Sequence, residues 1–240
     1  MTDSFKLSRR PPGNTLLIDA DDTLWENNIY FERAVASFIS YLDHQTHTPD
    51  EVREHLNQCE HATISAHGYG LRSFRRSLVD CFEQLSGAPV SDEQKERIHS
   101  FAESIAHHGV ELLPRVAETL AELSTRHRLI LVTKGDLVEQ TGKFERSGLV
   151  PYFTAVEVLP EKHDEAYSAL SVHHQCHAAN TWMIGNSPRS DINPALNAGL
   201  HAVFIPHNFT WILEREAVRQ PPLGQHLLEL TAFYELLDHF

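Results

Sequence analysis

The chain has 240 residues, 41% of them hydrophobic, which is enough to bury one large core or two small ones. Its formal net charge is −13, which opposes broad contact with nucleic acid or an anionic membrane, and no apolar run reaches the length that spans a bilayer. Cys59, Cys81 and Cys176 are odd in number and have no paired spacing, so the expected setting is a reduced cytoplasm rather than a disulfide framework.

Residues 1–13 are polar, carry Lys6, Arg9 and Arg10, have no apolar stretch behind them, and read as a flexible tail rather than a secretory signal. Asn14 and Thr15 then open the short apolar run Leu16-Leu17-Ile18, the pattern of a buried strand. That run ends in Asp19, Asp21, Asp22 and Thr23. Carboxylates this close cannot all ionise without a compensating cation, and hard Mg²⁺ suits their oxygens. Asp19 and Asp21 stand two apart, so on an extended backbone they lean to the same side, and one can attack while the other moves protons.

From about residue 26 to 111 the periodicity is helical throughout. Ile29, Phe31, Val35, Phe38, Ile39 and Leu42 mark a first helix. Thr48-Pro49-Asp50-Glu51 starts a second, with a capping hydroxyl, Pro in the first turn and acids at the positive dipole end. Gly68-Tyr69-Gly70 breaks it. A third helix is predicted from Leu71 to Leu85, and a fourth from Ser91 to about His108. Four helices without an intervening strand predict a separate helical unit inserted after the first strand.

From Pro114 onward helices and strands alternate. Strands are predicted at Leu129–Val132, Ala155–Val158, Trp182–Ile184 and Ala202–Ile205. Helices are predicted at Pro114–Arg126, Asp136–Ser147, Asp164–His174, Ser190–Ala198 and Gly224–Leu237. The expected fold class is therefore α/β: a Rossmann-like parallel sheet of about five strands, formed by residues 14–25 and 112–240, with the helical bundle 26–111 inserted. Ligands of such sheets sit beyond the carboxyl ends of the strands, and each polar motif in the chain falls at one of those ends.

Those motifs are Asp19-Ala20-Asp21-Asp22-Thr23, Thr133-Lys134-Gly135-Asp136, Pro160-Glu161-Lys162, and Gly185-Asn186-Ser187-Pro188-Arg189-Ser190-Asp191. In kind and order they resemble the four motifs of the haloacid dehalogenase superfamily, in its phosphatase type with a helical cap. The resemblance implies a Mg²⁺-dependent phosphatase acting on a small phosphomonoester, such as a sugar phosphate or nucleotide, through an aspartyl-phosphate. It implies that Asp19 is the nucleophile and Asp21 the acid and base. Thr133, Lys134, Gly135 and Lys162 are then expected to hold the phosphate, with Lys162 neutralising it. Asp19, Asp21 (through its main-chain oxygen), Asn186 and Asp191 are expected around the metal, and the inserted helices form a mobile cap.

The sequence departs from the family pattern in three places. Asn186 stands where the family usually has Asp; an amide oxygen can ligate Mg²⁺ but brings no charge, so weaker metal binding is expected, and Asp191 would then support the site through hydrogen bonds. His163 follows Lys162 where Pro is common. Asp22 replaces a commoner Gly and reads as a turn residue.

An acid at Asp21 argues against a dehalogenase, whereas a phosphomutase, or a non-catalytic binding or regulatory member, stays open. Arg72, Arg75 and Arg76 read as a solvated helix face that could alternatively meet a substrate's distal anion. His173, His174, Cys176 and His177 form a tract whose spacing fits no closed zinc pattern. Oligomeric state is not legible.

Overall fold

A computed structural model of the chain describes residues 9–43 and 46–240. The sheet is built from β1 (Thr15–Ile18), β2 (Arg128–Lys134), β3 (Ala155–Leu159), β4 (Thr181–Gly185), β5 (His201–Phe204) and β6 (Leu227–Glu229). All pairings are parallel and the order is β3-β2-β1-β4-β5-β6. β1 is thus central, flanked by β2 and β4, and its three apolar residues are fully buried on both faces. The chain reverses direction of winding at β1, so the crevice for a ligand opens at its carboxyl end, where Asp19 begins.

Helices cover the two faces. α5 (Val116–Ser124) packs with the end of the chain on one side, where Leu120, Leu123, Leu131, Phe144, Trp182 and Phe240 share a core. α7 (Asp164–His173) and α8 (Asn193–Asn197) cover the other, over Leu17, Ile130, Val132, Tyr167 and Met183. α6 (Leu137–Arg146) follows β2, capped by the Asp136 carboxylate on the N–H groups of Val138 and Glu139.

The helical stretch forms α1 (Asn28–Leu42), α2 (Pro49–His67), α3 (Leu71–Ser86) and α4 (Asp92–Ala106). α2 and α4 each start with a full capping box, Thr48 with Glu51 and Ser91 with Gln94. The four helices bury a core of their own, centred on Phe38, Leu56, Leu78, Cys81 and Ile98. The chain leaves the sheet and returns to it side by side: Trp25 pairs with Leu112, Glu26 N–H donates to Glu111 O at 2.9 Å, and Leu113 N–H to Leu24 O at 2.9 Å.

Three expectations are corrected. The segment read as one helix, Gly224–Leu237, is the edge strand Leu227–Glu229, which pairs with β5 as the sixth strand, followed by a 3-10 turn at Phe233–Asp238. A three-residue strand is too short to show alternation, which is why the helical pattern of the leucines dominated. The helix expected at Ser190–Ala198 begins as a π-turn, Pro188–Ile192, before α8. Of the expected flexible tail, residues 1–8 lie outside the described residues, and Arg9 and Arg10 are fastened. Arg9 donates to Glu122 at 2.7 Å and to the Phe240 carbonyl, while the Arg10 guanidinium lies 4.1 Å over the Trp182 ring. None of the described helices is long and apolar enough to cross a membrane.

Candidate active site

Each of the four sequence motifs leaves a parallel strand at its carboxyl end, and a cavity of about 690 Å³ lies between those ends and the helical unit. Asp19, Asp21, Thr133, Lys134, Gly135, Lys162, Asn186 and Asp191 all line it.

Asp19 follows β1 directly and is nearly inaccessible, at 6% exposure. Its Oδ1 accepts from Lys162 Nζ at 2.5 Å, and its Oδ2 from the Thr23 hydroxyl at 2.9 Å. Burial, then the neighbouring Asp191 charge, push the Asp19 carboxyl up to about 7 in spite of Lys162. Lys162 Nζ also donates to Asp191 Oδ1 at 2.8 Å. Burial works against the ammonium, but Asp19 and Asp191 outweigh it and hold the lysine well above its ordinary range.

Asp191, expected among the metal ligands, has both oxygens occupied by protein donors: Oδ1 by Lys162, Oδ2 by the Ser187 N–H at 2.9 Å. It stands behind the lysine, in the place of a positioning group. Gly185 makes that possible, since a Cβ there would come within 2.3 Å of Asp191 Oδ2. Asn186 does face the nucleophile. Its Oδ1 lies 3.3 Å from the Thr23 hydroxyl that also reaches Asp19 Oδ2, so a carboxylate and an amide oxygen converge on one point.

Asp21 is turned differently. Its carboxylate accepts from Trp25 Nε1 at 2.7 Å, Gln140 Nε2 at 2.9 Å and Lys143 Nζ at 2.6 Å, and Lys143 is itself tied to Asn27 Oδ1 at 2.8 Å. Burial alone would raise this carboxyl, yet Lys143 and the two hydrogen bonds hold it below the usual range. Asp22 takes a positive φ of 60° as the turn residue it was read to be, and its Oδ1 accepts the N–H groups of Asn27 and Asn28, capping α1.

Thr133 closes β2 in a buried position. Lys134 is committed elsewhere: its Nζ meets Glu214 Oε1 at 2.5 Å and Ser190 Oγ at 2.9 Å, and it lies 4.4 Å from the Tyr69 ring centre. Gly135 turns with φ +147°, and a Cβ there would press on Gln140, one of the groups that hold Asp21. Arg72 and Arg76 are exposed, and none of Arg72, Arg75 and Arg76 lines the cavity; the arginines that do are Arg53 and Arg146.

Two clusters outside the predicted set gather three possible ligand groups each. Glu157, His173 and His174 lie at the far end of α7, and Asp22, Glu26 and His207 adjoin the cavity. His174 Nε2 is hydrogen-bonded to Glu157 at 2.7 Å, and Arg128 sits on its other ring nitrogen.

Sequence reasoning missed Trp25, Gln140 and Lys143 around Asp21, Glu214 beside Lys134, and Tyr69, whose hydroxyl donates to Glu161 at 2.7 Å across the two units. Gln140 and Lys143 sit four and seven residues after the Asp136 cap, on one helical face, and that spacing was the available signal. Glu214 lies in an irregular segment that no pattern distinguishes.

The family profile of haloacid dehalogenase-like hydrolases matches residues 16–205. Human N-acylneuraminate-9-phosphatase is 23% identical over 93% of this chain and 94% of its own. Among solved structures, a haloacid dehalogenase-like family hydrolase from Xanthomonas campestris superposes with a TM-score of 0.76 at 27% identity, covering 94% of this chain and 93% of that one. A 2-haloacid dehalogenase from Pseudomonas syringae pv. Tomato gives 0.60 at 22% identity, covering 94% and 96%. The order of the motifs, the sheet that carries them and a profile match across most of the chain agree: this protein belongs to the haloacid dehalogenase-like hydrolase family.

Proposed function

We propose that the protein is a Mg²⁺-dependent phosphatase that hydrolyses a small phosphomonoester through an aspartyl-phosphate. The observation that carries this reading is the setting of Asp19. One oxygen rests on a buried ammonium while the other points with Asn186 Oδ1 toward a shared hydroxyl, and a second carboxyl follows two residues on. The similarity to N-acylneuraminate-9-phosphatases favours a sugar phosphate as the substrate class. The acid at position 21 favours phosphoryl transfer over the reaction of the dehalogenase neighbours, whose family pattern lacks it.

The donors fit a hard cation. Carboxylate Asp19 and amide Asn186, with the main-chain oxygen of Asp21, would hold Mg²⁺, which when bound would polarise the phosphoryl oxygens. The residues divide the remaining work. An Asp19 oxygen attacks phosphorus in line, the P–O bond to the leaving alcohol breaks, and Asp21 delivers the proton that alcohol needs. Water then loses a proton to Asp21, attacks phosphorus and releases Asp19. Lys162 offsets charge on the transferring group, held on target by Asp191. Thr133 and the N–H groups of the Gly135 turn supply donors to the phosphate. Lys143 keeps Asp21 ionised in the free enzyme; a phosphate dianion entering beside it raises its affinity for the proton it must carry.

The helical unit α1–α4 serves as the cap in this reading. It closes the cavity through Tyr69 on Glu161, the Leu71 N–H on Glu139 at 3.1 Å, and Asn28 Nδ2 on the Phe209 carbonyl at 2.5 Å. The test is hydrolysis of 4-nitrophenyl phosphate with and without Mg²⁺, for the native chain and Asp19→Asn. A Mg²⁺-dependent rate that the variant loses supports the reading. Its absence across a broad panel of phosphomonoesters favours a non-catalytic member.

A further inference from the structure

Glu60 lies on α2, is only 5% exposed, and lines the cavity from the helical side. The Trp211 side chain, which lines the same cavity, neighbours its carboxyl. Glu60 Oε2 is buried and has no hydrogen-bond partner among the described residues. A buried acceptor left open is costly, and such groups are normally satisfied. The same helical wall carries the apolar side chains of Phe31, Ile64, Phe74 and Ile105. The other charged helical residue at the cavity, Arg53, is committed to Glu32 through two hydrogen bonds of 3.0 and 3.2 Å. Glu60 thus presents an open, buried acceptor to the cavity from α2.

We propose that Glu60 selects the leaving group: its free oxygen takes a hydrogen bond from a hydroxyl or ammonium on the distal part of the phosphoester, and it rejects a carboxylate or second phosphate at that place. This rests on the phosphatase reading above. Rejection follows from the same physics as selection: a second anion repels the buried carboxylate, and the nearby Arg53 is already paired with Glu32. The apolar side chains beside Glu60 accept the carbon skeleton and exclude the water that would otherwise screen the contact.

The experiment compares kcat/KM for glucosamine 6-phosphate, sorbitol 6-phosphate and 6-phosphogluconate, with 4-nitrophenyl phosphate as the reference for the chemistry. The variant is Glu60→Gln, which keeps the volume and an acceptor oxygen but can also donate. The native enzyme prefers the amine and polyol esters over the gluconate. In Glu60→Gln the ratio of kcat/KM for glucosamine 6-phosphate to that for 6-phosphogluconate falls by about 10- to 100-fold, the range of a hydrogen bond to a charged group. Glu60→Leu gives the same direction, with a thermal melt to show that it folds. A ratio within about threefold of native in both variants, with 4-nitrophenyl phosphate still turned over in an Asp19-dependent way, overturns this inference and leaves the phosphatase reading standing. No turnover of any of the four esters by the native chain overturns both.

Discussion

The ammonium of Lys162 and the carboxylate of Asp19 meet at 2.5 Å in a space that both share with Asp191 and almost no solvent. One cation thus separates two buried acids and offsets the charge of both. Replacing it by Met removes the charge and keeps most of the packing. Losing one member of a buried ionic cluster costs about 3–5 kcal/mol, and losing a charge that stabilises the transferring group costs about 10²- to 10³-fold in kcat. The stability loss carries a pH signature. In Lys162→Met the Asp19 carboxyl, already pushed up by burial and the Asp191 charge, binds its proton more tightly in the folded state than in the unfolded chain, so its penalty grows as pH rises and is relieved as pH falls. Urea unfolding of native and variant protein at pH 8 and pH 5 should show the gap narrowing at pH 5; a gap independent of pH would mean the acids are not held apart by Lys162.

Asn186 supplies the second test of the site. Its Oδ1 and Asp19 Oδ2 face the same hydroxyl, so Asn186→Asp places a second anion where a dication would lie. Mg²⁺ affinity rises with the number of charged ligands, and the half-saturating Mg²⁺ concentration should fall by about tenfold or more. The cost appears without metal, where the added carboxylate crowds Asp19 and lowers the melting temperature. A Mg²⁺ titration of activity, with a melt in EDTA beside it, reads both. An unchanged titration would remove Asn186 from contact with the ion.

How much of this was legible in the chain differs by residue. Asp19, Thr133, Lys162 and Asn186 could be brought together on paper because each follows a short apolar run, and parallel strands deliver their ends to one edge. The partners of Asp21 could not. Gln140 and Lys143 reach it from 119 and 122 residues away through the packing of α6, and nothing local to Asp21 encodes that contact. Asp191 was legible as an acid in the right motif, but its role turns on Gly185 leaving room for the carboxylate to fold back: a Cβ there would lie 2.3 Å from Asp191 Oδ2. Glu60 is one acid among several on a long helix; only its burial and its unpartnered oxygen, both visible in space, single it out. The edge strand Leu227–Glu229 was lost because three residues carry too little pattern to outweigh their helix-forming neighbours.

Acid sensitivity should have a source outside the site. His127 is buried beside Phe240, and its Nδ1 accepts the Asn14 N–H at 3.3 Å. Burial pushes its pKa down to about 4, from an ordinary value near 6.5. Between those pH values the unfolded chain binds the proton that the folded protein refuses. The folded state is therefore fully favoured above about pH 6.5 and loses stability as pH falls toward 4, by about 1–3 kcal/mol from this group. His127→Gln keeps an acceptor for Asn14 but cannot titrate. Chemical denaturation at pH 7 and pH 4.5 should show a smaller loss in the variant than in the native chain, and an equal loss would place the acid sensitivity elsewhere.

In the proposed mechanism Asp21 is the group whose charge must change most during turnover. Lys143, 2.6 Å away, outweighs the effect of burial and keeps it ionised, with Trp25 and Gln140 each donating to one of its oxygens. Lys143→Met removes the ion pair and leaves the two neutral donors. The carboxyl then rises toward the value burial alone would impose, so any limb of the pH–rate profile set by Asp21 moves to higher pH. Asp21 is also freer to turn, so the first chemical step gains a proton donor while the hydrolytic step loses a base at neutral pH. Burst kinetics with 4-nitrophenyl phosphate separate the two: the variant should release the first equivalent of nitrophenol at least as fast as the native enzyme and complete the steady-state cycle more slowly below pH 7. A profile that keeps both its limbs and its burst in place would show that Lys143 is only structural, and that Asp21 reaches the leaving group from the position it already holds.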